Sequence, residues 1–216
     1  MKYLTLASLA ISATEARGQN GFSFGFCPNV PTWYSQNNQQ FNYEDIMGTW
    51  YLIKKPGDMA WDENKGGCTT AHLTNRSDAW FYKIGLNFGH MDKETKTVKN
   101  GYVLDEPGRD WTWAQGRADS QGNLYAQAMM MPEMPLQVLK TDNGQSYMVV
   151  HSCAQMMMEH FSGGMIFSRT KTLPQNTLDE LYNMMDTQVP SSEYVARDNL
   201  VDVYHGSDCQ YTTFSP

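Results

Sequence analysis

Two short motifs far apart in the chain, Gly48-Thr49-Trp50-Tyr51 and Ser168-Arg169, limit its fold more than any other feature. A Gly-x-Trp at the start of the first long strand puts a large indole where a barrel needs a plug. An arginine at the end of the last long strand is able to lay its guanidinium over that indole in a stacked cation–π contact. Neither half is specific alone, because Gly-x-Trp recurs by chance and lone arginines are usually solvated. Together, and with four cysteines at compatible positions, they point to one closed β-barrel that holds a small ligand.

The 216 residues allow one large domain or two small ones, with ample core for independent folding. Charged residues make up only 18% and the net charge is −7 without a Lys/Arg cluster, so a nucleic-acid partner is excluded. The plain meaning of the acidic surface is solubility. It is compatible with weak membrane or protein association and names no oligomeric state.

Residues 1–18 have the layout of a secretory signal peptide, and residues 19–216 read as a single domain. Lys2 supplies the positive start, Tyr3 to Ala13 an apolar stretch, and Thr14, Ala16 and Gly18 small residues for cleavage. An uncleaved N-terminal helix is the alternative. No later run reaches about 18 apolar residues. Cys27, Cys68, Cys153 and Cys209 fit an oxidising, extracellular or secretory-pathway location, and their number alone leaves three pairings open. They lack Cys-x-x-Cys spacing, and His72, His90, His151, His160 and His205 lack His-x-x-x-His spacing, so no metal site and no cofactor is expected. Asn75-Arg76-Ser77 is a sequon for N-glycosylation at Asn75.

After an irregular arm over 19–44, in which Pro28 and Pro31 oppose regular helix, the chain reads as strands and turns. The strands expected are 50–54, 68–74, 79–86, 97–104, 111–118, 123–130, 136–141, 146–157 and 165–169, with a late one over 200–204. Asp142-Asn143-Gly144 is a strong hairpin signal, and Ser162-Gly163-Gly164 falls near the next expected turn. Leu178, Leu181, Tyr182 and Met185 recur at helical spacing after Pro174. The fold class is therefore all-β, an eight-stranded up-and-down antiparallel barrel with one C-terminal flanking α-helix.

The ordered blocks Cys27-Pro28-Asn29-Val30-Pro31, Ile46-Met47-Gly48-Thr49-Trp50-Tyr51, Lys140-Thr141-Asp142 with Tyr147 to Cys153, and Phe167-Ser168-Arg169 resemble the lipocalin family, in its apolipoprotein D and bilin-binding branch. Asn143 and His151 depart from the second block, where many members carry an aromatic residue and a tyrosine. The resemblance implies the disulfides Cys27–Cys153 and Cys68–Cys209. Each closes a long loop, worth roughly 4–5 kcal/mol in the chain-entropy model.

Strand parity then predicts the inner wall. An inward Trp50 puts Leu52 and Lys54 inside. An outward Cys153 puts Met148, Val150 and Ser152 inside, and Arg169 at the floor puts Met165 and Phe167 inside. Tyr125 shares a face with Met129, and Leu136 with Val138; all four join the expected ligand-binding set. Trp50 and Arg169 are assigned to barrel closure rather than ligand contact. Lys54 reads as a rim lysine, with pairing to a ligand carboxylate as the alternative. The fifteen methionines, Met129-Met130-Met131 and Met156-Met157-Met158 among them, read as packing first and adaptable ligand contacts second.

An apolar, sulfur-rich wall suits a small hydrophobic ligand of lipid, retinoid, sterol or pigment type. The leading reading is a secreted carrier without catalysis. A barrel enzyme acting on a lipid or carotenoid is the second reading, and it lacks a Gly-x-Ser-x-Gly motif. A structural subunit of a larger assembly, with no ligand, is the third.

Overall fold

Ile84, Leu86 and Phe88, like Met148 and Val150, alternate with polar or small residues or with residues for a second layer, and a period of two suits strands buried on one face. The computed structural model describes residues 22–57, 66–76, 80, 83–92, 98–100, 114–127, 134–188 and 200–211. In chain order its strands are β1 (Phe22–Phe24), β2 (Gly48–Pro56), β3 (Gly66–Asn75), β4 (Ile84–Asp92), β5 (Val98–Asn100) and β6 (Ala114–Ala118). They continue as β7 (Asn123–Gln127), β8 (Met134–Thr141), β9 (Tyr147–Met156), β10 (Glu159–Ser168) and β11 (Leu200–Asp202). All pair antiparallel. The ring β10-β9-β8-β7-β6-β4-β3-β2 closes on itself through the β10–β2 pairing, which leaves no free edge in the ring. β1 adds to β10, β5 to β4 and β11 to β2. The expected eight-stranded barrel is present.

Two apolar layers result. Inside lie Trp50, Leu52, Ala71, Leu73, Ile84, Leu86, Phe88, Leu124, Val138, Met148, Val150 and Phe167. Outside, helix α2 (Gln175–Gln188) sets Leu178, Leu181, Tyr182 and Met185 onto Leu139, Val149 and Ile166 of the wall. The helix is amphipathic with the predicted stripe, and Lys140 of β8 pairs with its Glu180 at 2.9 Å.

Both implied disulfides are present, Cys27–Cys153 and Cys68–Cys209. The first pins the arm to the outer face of β9. The second pins the C-terminal segment, which bridges two strands: Val203 N–H donates to Ile53 C=O, and Cys68 N–H to Tyr204 C=O.

Three local expectations need correction. The arm holds a short helix, α1 (Trp33–Asn37), because it starts beyond Pro31, where the Thr32 hydroxyl caps it by accepting from Ser35 N–H. Of the strand expected over 79–86, residues 79, 81 and 82 lie outside the described residues, and the described strand starts at Ile84 and runs on to Asp92 rather than ending at 86. Ser162-Gly163-Gly164 lies inside β10, and the turn is Met157-Met158, with Met157 at φ 57°. Glycine within a strand marks close approach of other backbone, and the arm crosses this outer surface. The strands expected over 97–104 and 111–118 are described only at 98–100 and 114–118, and residues 1–18 and Trp111, Trp113 and Met129 lie outside the described residues.

Candidate ligand-binding site

The floor is built from backbone carbonyls. Gly48 has φ 95°, which glycine adopts without strain, and a Cβ there would stand 3.2 Å from Arg169 Nη1. The close approach lets Arg169 lay its Cζ 3.6 Å from the Trp50 ring centre. Its Nε then donates to Gly144 C=O at 2.9 Å, Nη1 to Thr49 C=O at 3.0 Å, and Nη2 to Met47 C=O at 2.8 Å and Asp45 C=O at 3.3 Å. Trp50 is 0% exposed, and its indole N–H donates to Ile46 C=O at 2.8 Å. Gly144 sits in the β8–β9 hairpin at φ 72°, where a Cβ would fall 1.7 Å from Asp45 C=O. The Asp142 carboxylate accepts from Ser146 N–H, the Ser146 hydroxyl and Tyr147 N–H. Burial opposes its ionisation, but these hydrogen bonds outweigh it, and the Asp142 pKa is lowered. Tyr34 and Phe41 from the arm pack beneath this floor.

Above the floor the wall is apolar. Leu52, Leu136, Val138, Met148, Val150, Met165 and Phe167 all belong to the inner layer, as parity predicts, and Ser152 faces inward opposite Leu136. Ala71, Leu73, Ile84, Leu86, Phe88 and Leu124 complete it. The alternation in 84–88 was visible in the sequence as a strand face, but its register against β3 was not.

Two expected wall residues sit elsewhere. Tyr125 points outward, because Leu124 is the inner residue of β7. The Tyr125 ring lies under the Arg117 guanidinium at 4.1 Å. Lys54 also points outward, pairing with Asp202 at 2.7 Å and lying over the Tyr182 ring. The cause is a β-bulge. Leu52 faces Phe167 and Lys54 faces Ile166, so two steps along β2 match one step along β10, and Ile53 is the extra residue. Parity flips there, and Lys55, 7% exposed, takes the inner face. A second bulge at Leu139 lets Val138 face in while Leu139 and Lys140 serve the helix side.

Outside the wall, His151 is 1% exposed beneath the arm. Its Nδ1 meets Gln137 Oε1 at 3.0 Å, and Gln137 Nε2 donates in turn to Val30 C=O and Asn123 Oδ1. Desolvation, with a smaller contribution from nearby His160, lowers the His151 pKa to about 4. His151 thus supports the arm and is no part of the inner wall.

A closed antiparallel barrel sealed at one end by a Trp–Arg stack, with two disulfides tying both chain ends to its wall, defines the class of this protein. Apolipoprotein D of Cavia porcellus is 30% identical over 195 residues, covering 86% of this chain and 87% of that protein. Among solved structures, insecticyanin from the tobacco hornworm Manduca sexta superimposes with a TM-score of 0.61 at 20% identity, over 89% of this chain and 94% of its own. Lobster apocrustacyanin A1 does so with a TM-score of 0.60 at 16% identity, over 88% and 94%. No family model matches the sequence. The chain belongs to the lipocalin family, in its apolipoprotein D and bilin-binding branch.

Proposed function

We propose that the protein is a secreted carrier that holds a small hydrophobic molecule of lipid, retinoid, sterol or pigment type inside the barrel and leaves it chemically unchanged. The observation that carries this reading is the apolar inner wall above a sealed floor, because such a wall favours a ligand that water solvates poorly. Leu52, Leu136, Val138, Met148, Val150, Met165 and Phe167 are the contacts proposed from the described wall. The two disulfides favour an oxidising compartment and take up all four cysteines, so a barrel enzyme would have no thiol nucleophile. Asn75, exposed at the end of β3, is proposed to carry a glycan.

The test is secretion of the full-length chain from a eukaryotic host, native mass spectrometry of the medium protein, and solvent extraction of whatever travels with it. A co-purifying hydrophobic molecule, and tryptophan quenching by retinol or a fatty acid, are the expected results. An empty protein whose tryptophan emission no such probe alters would sink the carrier reading and favour the structural subunit.

A further inference from the structure

Asn143 departs from the second family block, and the residue after it is glycine. An asparagine followed by glycine is open to one reaction above other pairs, because no side chain shields the glycine nitrogen. That nitrogen attacks the Asn143 Cγ and closes a five-membered succinimide. The side-chain amide leaves as ammonia, which carries off the proton lost from the Gly144 nitrogen. Water then opens the ring at either carbonyl. One product is aspartate. The other is isoaspartate, whose main chain runs through the former side chain and is one carbon longer.

The floor holds this pair away from that reaction. Asn143 is exposed with φ 57°, Gly144 is buried with φ 72°, and Gln145 N–H closes the turn on Asp142 C=O. Positive φ at both central residues marks a hairpin turn of type I′. The Gly144 nitrogen is occupied, because its N–H donates to Thr141 Oγ1 at 3.0 Å. That hydroxyl is fixed in turn by donating to Tyr147 C=O at 2.6 Å. Gly144 C=O accepts from Arg169 Nε, and Asp45 C=O closes over the Gly144 Cα. The Gly144 nitrogen must give up its proton and swing towards Cγ before the ring forms, so these contacts have to open first.

We propose that Asn143 is a deamidation site gated by the barrel floor: it reacts only when the β8–β9 hairpin opens, and the isoaspartyl product then leaves the floor unsealed. An extra main-chain carbon in a two-residue turn moves Gly144 off the place where Arg169 and Asp45 meet it. The product also adds a carboxylate next to Asp142. The modification therefore marks chains whose floor has opened and keeps that floor from closing again. It does not depend on what the barrel carries.

The experiment incubates the disulfide-intact protein at neutral pH and physiological temperature, native and in urea. Peptide mapping that resolves asparagine, aspartate and isoaspartate follows residue 143. The unfolded chain is expected to react at least about tenfold faster, since only the open fraction of a native hairpin is competent. Thr141→Val, which removes the acceptor of the Gly144 N–H, should speed the native reaction several-fold, and Thr141→Ser should not. Isoaspartyl protein separated from the aged sample should unfold at a lower temperature than Asn143→Asp, which has the same added charge on an unaltered main chain. Equal rates in native and unfolded wild type overturn the gate, a result that needs no variant to fold. A native Thr141→Val that reacts no faster than wild type also overturns it. Absence of isoaspartate at residue 143 from the unfolded chain overturns the site. Equal unfolding temperatures of isoaspartyl protein and Asn143→Asp overturn the effect on the floor.

Discussion

Arg169 donates from all three guanidinium nitrogens to four backbone carbonyls while covering Trp50. Truncating it leaves those carbonyls without their charged donor and uncovers the indole. Arg169→Ala is therefore expected to lower the unfolding free energy by about 3 kcal/mol and to change ligand affinity little, as measured by urea unfolding beside a ligand titration. A larger effect on affinity than on stability would move Arg169 into the binding site. His151 sets a pH dependence. Its folded pKa of about 4 lies below the usual 6.5, so above pH 6.5 neither folded nor unfolded chain carries the proton and nothing is lost. As pH falls from 6.5 towards 4 the unfolded chain takes up a proton that the native Nε2, buried without a hydrogen-bond partner among the described residues, resists. Stability from this residue should fall by about 3 kcal/mol across that window, and His151→Gln should flatten that part of the profile. An unchanged profile in the variant would assign the acid sensitivity to other groups.

At the scale of elements, bulges and ties decide what the strands display. The bulge between Gly67 and Thr70 holds Cys68 at φ 55°, where it meets both Tyr204 and Cys209. The C-terminal segment depends on that tie, since β11 is only three residues long and Val201 and Asp202 are exposed. Replacing both Cys68 and Cys209 with alanine is expected to cost about 2–5 kcal/mol and to speed hydrogen exchange at the Val203 amide above that of the β9 amides. Val203 protection equal to wild type would show that the segment holds by its backbone bonds and the packing of Val203 alone. Helix α2 was readable beforehand, because its stripe Leu178, Leu181, Tyr182 and Met185 needs only the 3.6-residue period. The β8–β9 hairpin was readable too, since Asn143 and Gly144 both adopt positive φ. The Met157-Met158 turn was not, because exposed methionines carry no turn signal, while the two glycines that suggested one belong to a strand overlain by the arm.

For the whole molecule, closure joins stability to binding. A ligand held only by the folded barrel should raise the unfolding free energy by about 2.7 kcal/mol at a hundredfold excess over its Kd, which thermal unfolding with and without dodecanoic acid measures. No upward shift at saturation would mean that the probe binds the outside or the unfolded chain equally well. Gly48, Trp50, Arg169 and the four cysteines, taken with the family resemblance, were enough to name the fold, the floor and both disulfides, because each depends on residue type at a fixed place in the chain. Most of the inner wall followed from parity, as Met148, Val150 and Phe167 show. Lys54, Lys55 and Tyr125 did not. One extra residue in β2 exchanges the faces of everything beyond it, and β7 takes its facing from the strands beside it. The sequence by itself therefore determined that this chain closes a barrel on Trp50 and Arg169. Only the tertiary structure decided which lysine looks inward, because a bulge is set by how neighbouring strands register, and that register is a property of the assembled sheet.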